Sequence, residues 1–382
     1  MKTTKALLPQ MANSDAKAHA SVQPVPMSAQ ATVIRIPADW EPHDCCWMAW
    51  AVDSDWGGWV NAVQDELATV IGAVAQSETV CLLTPKSALS EATARFRGLN
   101  VKIIEAPVDD IWMRDIAPTF AERGDDVVAI DWNFNGWDRT RRRRPRPGDR
   151  IVELSESLFG VEQIRASFVA EGGALISDGA GTVVTTRSCL LHPSRLPPVG
   201  LNARTAIPAI ERGFKAFGVE RVIWLNGDPH EPITNGHVDG YVLWAGPTTV
   251  LVESSEDGHS AEAKIREEDI KTLAKLQRGS QSLNVLHVSA PRYLYWRFRG
   301  PLWAPCYLNA YIANGSVITA RFGDEERDRE ARRMLQRAFP DRSIVMLSIN
   351  HICSGGGGVR CLCQPMPARR QQSWLTTALK AS

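Results

Sequence analysis

The chain has 382 residues, 43 Lys plus Arg against 43 Asp plus Glu, and 44% hydrophobic residues. That length can bury a sizeable core in two or three domains, or in one large repetitive one. The apolar fraction excludes a disordered chain, zero net charge weighs against a polyanion binder, and no run of about 18 apolar residues offers a membrane span.

Residues 1–31 are polar, contain Pro and are rich in Ala and Ser. Their one apolar stretch, Ala6–Leu8, is too short for a signal-peptide core. The segment reads as a disordered tail, with residues 32–382 as a single domain. The eight cysteines fall far below the density of a disulfide scaffold. Several sit in apolar runs, as buried thiols do, which favours a reducing compartment and hence the cytoplasm.

Beyond the tail, Cys46–Ala51 reads as a strand, Trp59–Gln76 as a helix and Thr79–Thr84 as a strand. A surplus helix and strand in Lys86–Pro107 read as an insertion. One unit then recurs: strand, Gly or Pro turn, strand, amphipathic helix, apolar strand. Its first copy is Ala117–Glu122, Asp126–Phe134, helix Ile151–Phe159 and Ile164–Val169. The second is Ala174–Ser177, Thr182–Thr186, helix Arg204–Phe217 and Arg221–Leu225. The third is His237–Trp244, Thr248–Glu253, helix Ser260–Gln277 and Leu283–Val288. The fourth is Tyr307–Ala313, Ser316–Arg321, helix Glu325–Phe339 and Ser343–Ser348. Val359–Cys363 supplies the first strand of a fifth copy, whose remaining parts are the elements from Cys46 to Thr84. The expected fold is therefore an α/β ring, a five-bladed pseudo-symmetric propeller of ββαβ units closed by joining the two ends, which leaves few open edges.

In such a ring the first strand of each unit faces the centre. The polar residues at or just before those strands are Asp115, Glu171, His237 with Asp239, Asn309 and Cys361. On a strand, His237 and Asp239 share one face. A Cys, a His and several carboxylates brought together from distant positions form an activated-nucleophile constellation. Each also has a plainer reading: Cys361 as a buried thiol, His237 as a core histidine, Asp115 as a partner of Arg114, Glu171 as a turn carboxylate. Gly355–Gly358 before Cys361 favours the chemical reading there, because glycines let backbone approach a ligand closely. Asn309 reads as structural.

Six motifs in order carry a resemblance: Glu41-Pro42-His43, Trp112–Phe120, Asp131–Asn135, Glu171-Gly172-Gly173, Asn235–Asp239, and the glycine run before Cys361. Together they resemble the agmatine deiminases and the bacterial-type peptidylarginine deiminases of the guanidino-group-modifying superfamily, from about Pro37 to Pro367. The resemblance implies the five-bladed propeller and hydrolysis of a small cationic guanidino substrate without metal or organic cofactor. It implies that Cys361 is the nucleophile and His237 the acid/base, with Asp115 and Asp239 on the guanidinium. Glu171 joins the catalytic set, and Trp112, Gly357, Gly358 and Arg360 join the substrate contacts. A homo-oligomer is expected.

Two buried carboxylates should raise the pKa of the thiol until a cationic substrate reverses the sign. Gly358 and Arg360 depart from the family pattern, which commonly has Asn and His at those places. An Arg360 at the pocket mouth would repel a distal ammonium and favour a carboxylate, whereas one on the opposite face would affect only packing.

Other readings are weaker. His351, Cys353, Cys361 and Cys363 lack the paired spacing of a structural zinc module. Gly355–Gly358 is followed by no Gly-Lys-Ser/Thr, so it is not a phosphate loop. The run Arg139–Arg146 contains Pro145 and reads as a solvated loop rather than a nucleic-acid-binding helix. Trp137–Gly148 and Ala290–Cys306 are expected lid loops, with Trp296 and Trp303 as candidate covers.

Overall fold

Five sheets share one wiring. Thr119–Arg123 pairs antiparallel with Asp126–Asp131, which pairs parallel with Glu162–Arg165. The same order recurs in Leu175–Ser177, Thr182–Thr186 and Arg221–Leu225, and in Val242–Trp244, Thr249–Ser254 and Asn284–Ser289. It recurs again in Tyr311–Ile312, Ser316–Ala320 and Ser343–Leu347. The fifth set draws on both ends of the chain: Gln364–Pro367 pairs antiparallel with His43–Ala49, which pairs parallel with Thr79–Thr84. The architecture is the five-bladed α/β propeller. These statements come from a computed structural model that describes residues 33–137, 148–196, 203–254, 260–278, 281–292, 298, 300 and 302–369. The expected tail, the arginine run 139–146 and Trp296 lie outside the described residues.

A parallel return needs a crossover, and helices supply it. They span Val60–Ala75, Ala203–Lys215, Ala261–Ala274 and Glu325–Ala338. Val63, Leu67, Val70, Ile71 and Val74 recur at helical spacing and bury one face of the helix that carries them. Glu325–Ala338 begins at Asp324, whose side chain accepts from the Arg327 amide, and its first turn holds Glu325, Glu326 and Asp328. That charge bias matches the macrodipole. In the first unit the crossover is a 3₁₀ helix, Gly148–Leu154, running into a π-helical turn, Ser155–Phe159.

The insertion adds structure to an existing sheet. Its strand Val101–Glu105 pairs parallel with Thr79–Thr84 as a fourth strand. Ile34–Arg35, which carries no strand signal in the sequence, pairs antiparallel with Thr119–Arg123 and covers that edge.

One class of expectation is corrected. Three of the centre-facing segments are single helical turns followed by the strands. Asp115 lies in Met113–Ile116, Asp239 in Val238–Gly240, and Cys361 in Val359–Leu362. Around Cys361 the backbone bonds to Asn309 and not to a ladder: Arg360 N donates to Asn309 O at 3.3 Å and Cys361 N to Asn309 Oδ1 at 3.3 Å. The true fifth-unit strand, Gln364–Pro367, tolerates Pro365 and Pro367 because it lies at the sheet edge. A helical turn directs neighbouring side chains around one axis, whereas a strand would send alternate residues to opposite faces.

Candidate active site

The turns at the centre line one cavity of about 690 Å³, and Cys361, His237, Asp115, Asp239, Trp112, Gly357 and Gly358 all face it. Of the eight cysteines, all described and all free, seven are buried and Cys361 is partly exposed. Its Sγ lies 3.2 Å from Asn309 Nδ2 and 3.9 Å from Asp239 Oδ2. Burial pushes this thiol well above the ordinary cysteine value, and the Asp239 and Asp115 carboxylates push it further.

His237 sits among carboxylates. Its Nε2 is 2.8 Å from Glu171 Oε1, and its Nδ1 is 3.9 Å from both Asp115 Oδ2 and Asp239 Oδ1. Burial works against the imidazolium, but Asp115, Cys189 and Glu171 outweigh it, and the pKa is raised well above the ordinary histidine value. These surroundings favour the charged imidazolium over the neutral ring. Burial raises the Asp115 carboxyl, with Glu171 and Asp239 adding to the rise and His237 and Trp137 opposing it. Its oxygens accept from Gly173 N at 2.8 Å and from Trp137 Nε1 at 2.8 Å.

Glu171 stands behind His237, fully buried and outside the cavity lining. Arg195 Nε lies 3.0 Å from Glu171 Oε1, and Arg195 Nη2 pairs with the same oxygen. Arg195 Nη1 in turn donates to Asn235 Oδ1 at 2.7 Å. This chain of contacts orients the imidazole. Glu171 thus reaches the cavity only through His237. Glycines make the close packing possible: a Cβ on Gly173 would lie 2.4 Å from His237 Nδ1, and one on Gly357 would lie 2.5 Å from Trp112 Cζ3.

Arg360 is corrected. It does not line the cavity; it is buried on the far side of Asp239. Its Nη1 donates to Asp239 Oδ2 at 2.9 Å and its Nε to Asp39 Oδ2 at 2.8 Å. Gly358 leaves room for Asn309, whose Oδ1 would be 2.9 Å from a Cβ there. Asn309, expected to be structural, touches the thiol directly. Arg114 pairs with Asp39 at 3.5 Å, so the plainer reading of it as the partner of Asp115 does not hold.

Sequence reasoning missed Arg195, Asp39, Cys189 and the Trp137 bond to Asp115. Only the unusual tally of thirteen Trp hinted at working indoles. Trp303 packs between Phe298 and Phe322 and does not line this cavity. Gly136 and Trp137 from one expected lid, and Ala290, Pro291, Leu302, Ala304, Pro305 and Cys306 from the other, do line it. Of the zinc alternative, His351 pairs with Glu66 at 2.7 Å. Among the described residues, the trio that gathers potential metal donors within 4.8 Å is Glu171, Cys189 and His237. Glu171 is already engaged by Arg195 and His237 there, so the trio is satisfied by its own contacts. No helix of the described residues is long and apolar enough to cross a membrane.

The arrangement can hold a flat cation between two carboxylates, against a thiol and beside an imidazole. Comparison with known proteins agrees with that chemistry. Residues 35–367 match the family of Porphyromonas-type peptidyl-arginine deiminase. The chain is 32% identical to an agmatine deiminase of Pseudomonas aeruginosa strain LESB58, over 88% of this chain and 96% of the relative. It is 31% identical to one of Medicago truncatula, over 87% and 96%. The solved agmatine deiminase of Enterococcus faecalis superposes with a TM-score of 0.79 at 26% identity, covering 88% of this chain and 96% of that one.

Proposed function

We infer that this chain, which belongs to the family of Porphyromonas-type peptidyl-arginine deiminase, is an amidine hydrolase that deiminates a small guanidino substrate. Agmatine, the substrate in the names of its relatives, would give N-carbamoylputrescine and ammonia. That product is one hydrolysis from putrescine, which places the activity in polyamine biosynthesis. The observation that carries the reading is the set of Cys361, His237, Asp115 and Asp239 around one cavity.

A guanidinium presents its N–H groups as planar forks that suit carboxylates. Asp115 and Asp239 would take these forks, relieving two charges that are costly to bury unpaired. The arriving positive charge lowers the thiol pKa, and the Cys361 thiolate attacks the central carbon. His237 gives its proton to the departing nitrogen as ammonia leaves, and a thiouronium remains on Cys361. The now neutral His237 takes a proton from water, the hydroxide adds to the same carbon, and the thiolate departs to leave the ureido product. Glu171 and Arg195 keep the imidazole aimed throughout.

The test is agmatine turnover with ureido-product detection, together with intact-mass analysis of quenched enzyme. Turnover, a substrate-derived adduct on wild-type enzyme, and loss of both in Cys361→Ser are expected. Turnover that survives Cys361→Ser would overturn the assignment of the nucleophile.

A further inference from the structure

The fourth unit brings Asn309 to the centre, and the chemistry above gives it no part. It stands just before Tyr311–Ile312, is 5% exposed and lines the cavity. Its side-chain amide is fixed at three points. Nδ2 lies 3.3 Å from the Asp239 carbonyl oxygen and 3.2 Å from Cys361 Sγ, and Oδ1 accepts from Cys361 N at 3.3 Å. The Asp239 carbonyl can only accept and Cys361 N can only donate, so the amide cannot be turned over. One N–H serves Asp239, and the other is left to the sulfur.

The main chain is tied to the same place. Arg360 N donates to Asn309 O at 3.3 Å, so Asn309 holds the turn that carries Cys361 through its backbone and its side chain together. Gly358 keeps the space open: a Cβ there would lie 2.9 Å from Asn309 Oδ1 and 3.0 Å from Asn309 Cβ. The charges around the sulfur make this donor count. Burial and the carboxylates of Asp239 and Asp115 oppose a thiolate, while the Gly358 backbone and the Asn309 side chain favour it. A neutral amide can do so without repelling a cationic substrate, which an Arg or Lys in the same place would do.

We propose that Asn309 is a catalytic residue of the deimination, its amide N–H donating to the Cys361 sulfur whenever that atom is anionic. This happens twice. In the first half the thiolate electron pair forms the S–C bond; in the second that bond breaks and the pair returns to sulfur. Asn309 gives up no proton in either half. Its hydrogen bond favours the thiolate over both the resting thiol and the adduct, in which sulfur is a poor acceptor. The catalytic role rests on the deiminase reading above, but the contact with sulfur can be probed without a substrate.

The experiment follows alkylation of Cys361 by iodoacetamide from pH 7 to 9, read by intact mass, in wild type, Asn309→Ala and Asn309→Asp. Agmatine kinetics and thermal melts accompany it. Losing a hydrogen bond to an anion should cut the thiolate fraction about tenfold, while the more basic sulfur reacts about threefold faster. Alkylation of Asn309→Ala near pH 8 should therefore fall about threefold. Asn309→Asp keeps the shape but replaces the donor with a carboxylate, so its fall should exceed about tenfold. In both variants kcat for agmatine should drop at least about tenfold, with KM changed less because Asp115 and Asp239 remain. Alkylation at or above the wild-type rate in either folded variant overturns the role, as does a lost kcat with an unmoved alkylation profile. Wild-type enzyme that turns over no guanidino substrate overturns the deiminase reading instead, and the alkylation rates still decide whether Asn309 serves the sulfur.

Discussion

Arg360 holds Asp239 from behind: its Nη1 donates to Asp239 Oδ2 at 2.9 Å, while Asp239 Oδ1 faces His237 Nδ1 at 3.9 Å. The chain thus keeps one guanidinium of its own on a carboxylate assigned to the guanidinium of the substrate. Arg360 also bonds Asp39, and burial costs its cation less than the two carboxylates return, so its pKa is raised. Removing it leaves two carboxylates without their shared partner. Arg360→Met is expected to lose about 3–5 kcal/mol of stability, the usual cost of breaking a buried pair from one side. Urea unfolding measures this, and a loss under about 1 kcal/mol would show that Asp39 and Asp239 do not depend on it.

The Cys361 thiol is pushed up by burial first and by Asp239 and Asp115 next. In free enzyme the thiolate fraction at neutral pH is therefore small. The rate of iodoacetamide inactivation should keep climbing past pH 9 with no plateau, the ordinary thiol value being 9.0. The other seven cysteines are buried, and Cys361→Ser serves as the control. A plateau below about pH 7 would mark a pre-activated thiol and contradict the expectation.

Burial alone would raise the Glu171 carboxyl, but Arg195 and His237 prevail and hold it at about 2 instead of 4.5. A carboxyl depressed on folding stabilises the protein above its unfolded pKa and loses that contribution as pH falls through the folded value. The window here is pH 4.5 down to about 2, and the size is about 3 kcal/mol at ~1.4 kcal/mol per unit. Thermal melts across that window should show a shallower acid-side loss in Glu171→Gln than in wild type. Losing this carboxylate also lowers the His237 pKa, so the alkaline limb of kcat should move to lower pH and kcat fall roughly 10²-fold. An unmoved alkaline limb would mean that Glu171 does not act through His237.

A Cβ at Gly173 would sit 2.4 Å from His237 Nδ1 and 3.0 Å from Asp115 Oδ1. Gly173→Ala must therefore displace the imidazole or the segment that carries it. Overpacking of this kind costs about 1–3 kcal/mol, and kcat should fall more than the melting temperature alone explains. Steady-state kinetics beside a melt checks it, and wild-type kcat would show that the site has slack.

Much of the fold was legible in the sequence, because each unit repeats the same local physics. Thr79–Thr84, Thr182–Thr186 and Arg221–Leu225 fall where the apolar runs and turn residues put them. Closure by joining the two ends was legible too, since the fifth unit lacked parts that the first elements supply. The short strand Ile34–Arg35 was not, because two residues carry no period. The turns Val238–Gly240 and Val359–Leu362 read as strands for a similar reason. His237–Trp244 alternates well enough for a strand, yet its first residues curl in a helical turn where the five units converge.

The sequence by itself determined the wiring of the ring and that Cys361, His237, Asp115 and Asp239 meet at its centre, since glycines and polar residues at repeated positions mark where chains converge. Tertiary structure decided what stands behind them. Arg195 and Arg360 lie 24 residues from Glu171 and 121 from Asp239, distances at which no local pattern signals a contact. A buried charge declares its partner only once the ring closes and water is gone, and closure turned Arg360 away from the substrate cavity and onto Asp239.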